Sequence, residues 1–195
     1  MSDISVLYAS LKLAHLLGAG LVGGGLIGVW LSDLGARRTR DLRRFSIAIH
    51  DIPVIYNRIV IPGAILLLVS GVWFVVSFYS GWGLLRIPWL AGMASLFVFE
   101  LLEGSTITRI YLMKLRPITG RALESGHITS ELEAARHAHV PTFMHFLRLP
   151  LFLVTVSLGI FRPTTWTLFV SGAVVSVLTA TALSIAVPRM YARKI

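Results

Sequence analysis

Five long apolar runs dominate this sequence, and they limit its fold to a bundle of membrane-spanning helices. A helix needs about 20 apolar residues to cross the hydrocarbon core of a bilayer, and only helices and closed barrels satisfy their backbone polar groups in lipid. We therefore predict an all-α integral membrane bundle of five transmembrane helices in a single domain, residues 1–195. The spans lie near residues 4–31, 54–78, 88–112, 140–161 and 165–187.

The composition agrees with a membrane bundle and excludes several other classes of protein. Of the 195 residues 55% are hydrophobic and 14% charged, whereas about a quarter of a soluble domain is charged. The chain has no cysteine, which excludes disulfides, thiolate metal sites and thiol catalysis. We attribute the net charge of +9 to loop arginines that set topology and touch anionic lipid. The expected partner is the lipid bilayer, and no nucleic acid is expected.

Lysine and arginine are concentrated on one side of the predicted bundle. Cytoplasmic loops carry the excess of basic residues, so we predict an N-terminus outside, a C-terminus inside and a multi-pass protein of the bacterial cytoplasmic (inner) membrane. The opposite side has Arg86 and Arg162. The basic residues of the inner side are Arg37, Arg38, Arg40, Arg43, Arg44, Arg109, Lys114, Arg116, Arg121, Arg136, Arg189, Arg193 and Lys194.

Two patterns of small residues predict how the helices pack. In the first span Gly20, Gly24 and Gly28 are four residues apart, so they share a face that favours close approach of another helix. We favour packing within the chain over a dimer contact, and a homo-oligomer stays open. In the second span Pro62 and Gly63 predict a kink, because proline interrupts the helical hydrogen-bond ladder.

Six of the ionisable side chains inside the predicted spans are candidate functional residues. With a rise of about 1.5 Å per residue, Glu103 and His145 fall in one layer of the inner half, and Glu100 and Arg148 fall in the next layer. We therefore predict contacts between Glu100 and Arg148 and between Glu103 and His145, to within one helical turn. The six residues are His15, Arg58, Glu100, Glu103, His145 and Arg148.

Glu100, Glu103, His145 and Arg148 form an inner cluster, which Arg58 is expected to join from the second span. The chemistry of this cluster allows three interpretations. In one, the residues form a buried ion-pair network that only fixes helix register. In another, His145, Glu100 and Glu103 are metal ligands, while Arg148 and Arg58 bind an anionic group such as a haem propionate. In the third, the cluster is a path for protons.

His15 is a separate candidate ligand in the outer third of the first span. Gly18 lies nearby and is expected to leave room for a flat ligand, so His15 is a candidate haem or metal ligand. His15 and His145 differ too much in depth to bind one iron together. If both histidines bind haem, there are two haems, one near each face of the membrane. Copper is the alternative metal, because the stretch "HAHVPTFMH" supplies ligands that copper prefers. These are His137, His139, Met144 and His145.

Three stretches resemble known membrane proteins. "LKLAHLLGAGLVGGG", "YNRIVIPGAILLLVSGVWFVV" and "FLRLPLFLVTVSLGIFRP" are similar to the first, second and fourth helices of CopD-like and HemJ-like membrane proteins. The best single match is an uncharacterised bacterial family, domain of unknown function 2269, over about residues 8–163. HemJ-type proteins are haem-binding protoporphyrinogen oxidases and CopD-type proteins are implicated in copper handling. The resemblance implies that His15 is a haem ligand.

Three functional hypotheses follow. The leading one is a haem-b-binding integral membrane protein with a redox or haem-related role, either an oxidoreductase or an electron-transfer component. Its partner would be a quinone or another membrane redox protein. The first alternative is a small transporter or copper-handling protein that uses the intramembrane cluster of glutamate, histidine and arginine. The second alternative is a non-catalytic membrane subunit, in which the same cluster only sets packing.

Overall fold

The computed structural model describes residues 3–39, 41–79, 81–136 and 138–192, except the side chains of Asp3, Tyr191 and Ala192. All regular structure in these residues is helical. Two π-helical turns, Tyr56–Val60 and Gly104–Thr108, connect α-helices without a break, and a 3₁₀ helix covers Gly81–Arg86. The α-helices are α1 (Asp3–Arg38), α2 (Leu42–Ile55), α3 (Ile61–Phe78), α4 (Pro88–Glu103), α5 (Arg109–Ser125), α6 (Ser130–Arg136), α7 (His139–Phe161) and α8 (Thr167–Ala192).

Five helical stretches in this part of the chain are long and apolar enough to cross a membrane, which confirms the predicted architecture. They are called the first to fifth spans, and their bounds are Ile4–Arg38, Leu42–Phe78, Pro88–Ser125, Ser130–Phe161 and Thr167–Met190. The prediction that residues 1–195 form one domain stays a prediction. Arg40, His137, Arg193 and Lys194, which the sequence analysis singled out, lie outside the described residues.

The spans are longer than predicted at one end of the bundle, which we call the basic end because Arg43, Lys114 and Arg116 are exposed there. The first span runs to Arg38 and the third to Ser125. The charged segment between the first two predicted spans forms α2, which continues directly into the second span. Its start is fixed by Asp41, whose carboxylate accepts hydrogen bonds from the amides of Arg43 (2.8 Å) and Arg44 (3.4 Å), as expected of an N-cap.

The extended helices have an apolar core of their own at the basic end. Phe45 and Ile49 of α2, Leu115 of α5 and Leu132 of α6 are buried in it together with Val29 of the first span. Burying these side chains stabilises the helices beyond the predicted end of each span, because each buried aliphatic or aromatic side chain contributes about 1.5–3 kcal/mol. The polar segment between the apolar parts of the third and fourth spans forms a helical hairpin, the end of α5 followed by α6.

The first and second spans cross at glycines other than the predicted ones. A Cβ placed on Gly18 would lie 3.0 Å from the carbonyl oxygen of Gly63, and one placed on Gly25 would lie 2.5 Å from Val60. A Cβ on Gly20 or Gly24 would meet nothing within 4 Å in the described structure. The prediction that these two glycines form a packing face within the chain is wrong, since the helix presents the other side to its neighbour.

Both π-helical turns lie in spans that flank the same cleft. In the second span the amide of Ile61 bonds to the carbonyl of Tyr56, five residues back, just before Pro62. Proline has no amide hydrogen to donate, so the altered hydrogen-bond pattern directly precedes the residue that interrupts the ladder. The turn in the third span directly follows Glu103. Short π-helical turns of this kind are frequent at functional sites.

Candidate functional site

A cleft of about 680 Å³ lies between the second and third spans, and residues of the first and fourth spans also line it. Most of its wall is apolar. The apolar lining includes Val22, Leu26, Ala64, Leu67, Phe97 and Phe152. None of the described residues of the fifth span lines it. The volume is within the range of about 300–1,000 Å³ that is typical of ligand sites.

The polar part of the cleft is a buried ion pair between Arg148 of the fourth span and Glu103 of the third. Nε and Nη2 of Arg148 contact Oε2 of Glu103, and only 7% and 5% of the two residues are exposed. The other carboxylate oxygen, Oε1, accepts a hydrogen bond of 2.7 Å from Thr108. An arginine with a satisfied carboxylate partner is the arrangement that makes buried charges tolerable.

Tyr56 brings the second span into the same network. Its hydroxyl oxygen accepts a hydrogen bond from Nη1 of Arg148, and the guanidinium carbon lies 5.1 Å from the centre of the phenol ring. Because the hydroxyl oxygen acts as acceptor here, its hydrogen is left to donate to another group. Tyr56 and Arg148 both line the cleft, so this donor is placed where a ligand would lie.

Gly104 makes room for the guanidinium. A Cβ at this position would lie 2.5 Å from Nη2 of Arg148, a distance that carbon and nitrogen atoms do not adopt without bonding. Arg148 is held on both sides by Glu103 and Tyr56, so it has no free direction in which to withdraw. The glycine is therefore required by the close approach of the arginine to the backbone of the third span.

Glu100 lines the cleft one helical turn from Glu103. Its Oε1 atom is buried and has no hydrogen-bond partner among the residues that the structure describes. Most buried polar atoms in proteins do have a partner, and an exception in a cavity points to a water or a ligand that completes the site. Glu100 is thus the carboxylic acid of the cleft that lacks a hydrogen-bond partner among the described residues.

The observed pairing of glutamates with cations is shifted by one helical turn from the predicted one, which is the tolerance of the prediction. Arg148 pairs with Glu103 and not with Glu100. His145 contacts Asp33 of the first span, with 3.3 Å between Nε2 of the histidine and Oδ2 of the aspartate. The first span continues past residue 31, and this extension brings Asp33 to the level of His145. Asp33 was not included when the depths of the ionisable residues were compared, because residue 33 lay beyond the predicted end of the span.

Asp33 also joins His145 to the basic end. Nε of Arg37 donates a hydrogen bond of 2.6 Å to the same Oδ2 atom of Asp33. Arg37 also donates to the hydroxyl of Thr142 on the fourth span, at 3.2 Å. The spacing of Asp33 and Arg37, four residues apart on one helix, is the sequence signal that would have found this pair.

Arg58 does not join the inner cluster. Its side chain is exposed and is absent from the lining of the cleft, so the expectation that it would enter the site is wrong. Tyr56, two residues earlier, takes that place. Positions two residues apart on a helix face different directions. Arg58 was therefore predicted at the right level of the second span but on the wrong face of the helix.

His15 lies outside the cleft, near the other end of the second span. Its Nδ1 atom is 3.0 Å from the hydroxyl oxygen of Ser70, and that hydroxyl donates its own hydrogen to the carbonyl of Leu66 at 2.6 Å. With the hydroxyl hydrogen on Leu66, the matching tautomer of the imidazole donates from Nδ1 and leaves Nε2 as the acceptor atom. The predicted space beside Gly18 is filled by Gly63 and Leu67, so that part of the expectation is wrong.

The described residues contain no group of three or more histidines, aspartates or glutamates that would hold a metal ion. His139 of the proposed copper motif is exposed, whereas Met144 packs against an apolar core of α7 and α8. The remaining member, His137, lies outside the described part of the chain. Copper binding by this motif stays a prediction.

Comparison with known proteins adds one finding. The family model described as "Predicted integral membrane protein (DUF2269)" matches residues 9–163. The chain belongs to this family. The matched residues include the first four spans, which line the cleft, and end before the fifth span. No curated protein and no solved structure matches the chain.

Proposed function

We propose that this DUF2269 protein binds an amphipathic, membrane-soluble molecule in the cleft between its second and third spans. One observation carries the proposal: Glu100 has an unpartnered buried oxygen in a mostly apolar cleft, whose lining also includes Arg148 and Tyr56. An apolar cavity with a few convergent polar groups is the usual form of a small-molecule site. A molecule with an apolar body and one hydrogen-bonding group matches both parts of this surface.

The polar groups restrict the chemistry of the bound group. Tyr56 offers a hydroxyl hydrogen, and Glu100 offers a carboxyl oxygen that needs a partner. A carbonyl, hydroxyl or ester group would satisfy these partners without placing a further unpaired charge in the membrane. A quinone, the redox partner that the sequence predicts, is one member of this class.

The proposal is tested by what the purified protein carries with it. Extraction and mass spectrometry of the protein purified in mild detergent should find a defined amphiphile at near one molecule per chain. Ala64→Trp fills the cleft and should remove it. Val72→Trp, a change of similar kind on the exposed side of the same helix, should leave it in place. An equal amount of co-purified amphiphile in both variants would contradict the proposal.

A second candidate function, haem binding, is favoured by the orientation of His15. Ser70 fixes the imidazole as an Nδ1 donor, and a histidine metal ligand usually donates its other ring nitrogen in this way. His15 would hold the iron through Nε2, and a haem there would supply redox chemistry. No histidine lines the cleft within the described residues, so His15 is the candidate axial ligand and the cleft offers none.

The same framework gives the placement in the membrane that we propose. The basic end faces the cytoplasm and the N-terminus lies outside, in a bacterial cytoplasmic membrane, because the basic residues lie at the end of α1 and around α5. The chain has no cysteine, so single introduced cysteines report topology cleanly. Trp82→Cys should react with an impermeant maleimide from outside, and Ser125→Cys should not.

A further inference from the structure

Two arginines line the cleft at its basic end. Arg109 and Arg116 belong to the third span and are seven residues apart, which is about two turns on one helix face. Both side chains are exposed. Within the residues that the structure describes, neither guanidinium forms a hydrogen bond or an ion pair. The mouth of the cleft therefore carries two positive charges that the chain itself does not balance.

Other arginines at this end of the bundle do have carboxylate partners. Arg37 pairs with Asp33 at 2.6 Å, and Arg121 pairs with Glu131 at 2.8 Å. The one carboxylate among the described lining residues of the cleft is Glu100. It lies nine residues before Arg109, or about 13 Å along the helix axis. The cleft thus has a cationic mouth and an apolar interior, with its polar network between them.

We infer that the cleft binds an anionic phospholipid, with the phosphate at Arg109 and Arg116 and the apolar chain among Leu67, Phe97 and Phe152. This inference rests on the proposed function, and it adds the class of ligand and the membrane leaflet from which the ligand comes. Guanidinium groups bind phosphate with paired, charge-assisted hydrogen bonds. The two arginines lie toward the basic end of the third span, where the lipid phosphates of that leaflet are close by.

The position of the mouth distinguishes this site from general attraction between basic loops and anionic lipid. Lys114 and Arg43 are also exposed at the basic end, but neither lines the cleft. General attraction would act on all of these residues alike, because it depends on surface charge and not on position. A built site would depend on Arg109 and Arg116 alone.

Native mass spectrometry of the detergent-purified protein tests the inference with two lipids of matched chains. Phosphatidylglycerol should bind more tightly than phosphatidylcholine, whose headgroup has no net charge. The double variant Arg109→Gln/Arg116→Gln should weaken phosphatidylglycerol binding about thirtyfold, given the usual contribution of each basic residue to binding at a lipid surface. The control Lys114→Gln/Arg43→Gln should leave it unchanged. Free glycerol phosphate should compete poorly, because it lacks the apolar chain.

Three results would overturn the inference. The first is equal affinity for the two lipids, and the second is an equal loss in the control variant. The third is binding of glycerol phosphate as tight as that of the lipid, which would indicate a water-soluble phosphate ligand. Ala64→Trp separates this inference from the proposed function. If it blocks both lipids and the unsubstituted protein binds them equally, the proposed function stands and this inference fails. If it blocks neither lipid, the proposed function fails too.

Discussion

Arg148 and Glu103 form a buried ion pair that joins the third and fourth spans beside the cleft. Tyr56 of the second span and Thr108 of the third each form a further hydrogen bond with the pair. Three spans are thus fixed relative to one another by a single guanidinium. This arrangement places Glu100, the unpartnered carboxylate of the cleft, one helical turn from a fixed positive charge.

Loss of either partner of this ion pair should destabilise the protein strongly. Arg148→Gln or Glu103→Gln leaves the other charge buried without compensation, which costs about 3–5 kcal/mol. The double variant should lose less than the sum of the two single variants. Thermal and denaturant unfolding in detergent would measure this coupling. A stronger coupling of Arg148 with Glu100 than with Glu103 would contradict the structure.

Substitution of Gly104 should disturb the same arginine without removing it. Gly104→Ala introduces a Cβ at 2.5 Å from Nη2 of Arg148, so the guanidinium must leave Glu103 or Tyr56, at a cost of about 1–3 kcal/mol. Gly120→Ala is the matched control in α5, since a Cβ there meets nothing within 4 Å. The control should be neutral or slightly stabilising, because alanine favours helices over glycine. Equal unfolding temperatures for the two variants would show that Arg148 is not held against the backbone of the third span.

The close contact between the first two spans should depend on Gly18 and not on the glycine face that the sequence predicts. Gly18→Ala places a Cβ 3.0 Å from backbone atoms of Gly63 and Leu67, which cannot move as a side chain would. Destabilisation of about 1–3 kcal/mol is expected. Gly24→Ala should have little effect on the monomer, because its face is open. If Gly24→Ala instead dissociates a homo-oligomer in light-scattering measurements, the open face is a contact between copies.

Haem binding is tested by the optical spectrum of the purified protein before and after reduction with dithionite. If His15 holds a haem, a Soret band should be lost in His15→Ala. Ser70→Ala should lower haem affinity about tenfold to a hundredfold, because it removes the group that orients the imidazole. His139→Ala, a change at an exposed histidine, should leave the spectrum intact. A colourless protein from haem-replete cells would exclude this candidate.

The fold was predictable from the sequence because each span is a long apolar run, which composition alone reveals. Apolar length alone indicates five spans, and the described residues form five helical stretches long and apolar enough to cross a membrane. The lengths of the helices were less predictable, since α2, α5 and α6 owe their extension to a shared core around Leu115 and Leu132. Such a core depends on contacts between distant segments, and no local pattern encodes it.

The candidate site was predictable to within one helical turn in depth but not in pairing. Glu100, Glu103 and Arg148 were found because charges are rare inside spans, and all three lie together. The correct partners required the face of each helix as well as its depth. Tyr56 was missed because a tyrosine in a span carries no charge signal, and Asp33 was missed because its span was predicted too short.

The most direct test of a ligand in the cleft is photocrosslinking from two adjacent positions of the third span in native membranes. A photoreactive residue in place of Phe97 lies in the cleft, and one in place of Val98 lies on an exposed surface. Mass spectrometry of the adducts should find one amphiphile strongly enriched at position 97 and the bulk lipid mixture at position 98. The same bulk mixture at both positions would contradict the account, because the cleft would then be ordinary lipid-exposed surface.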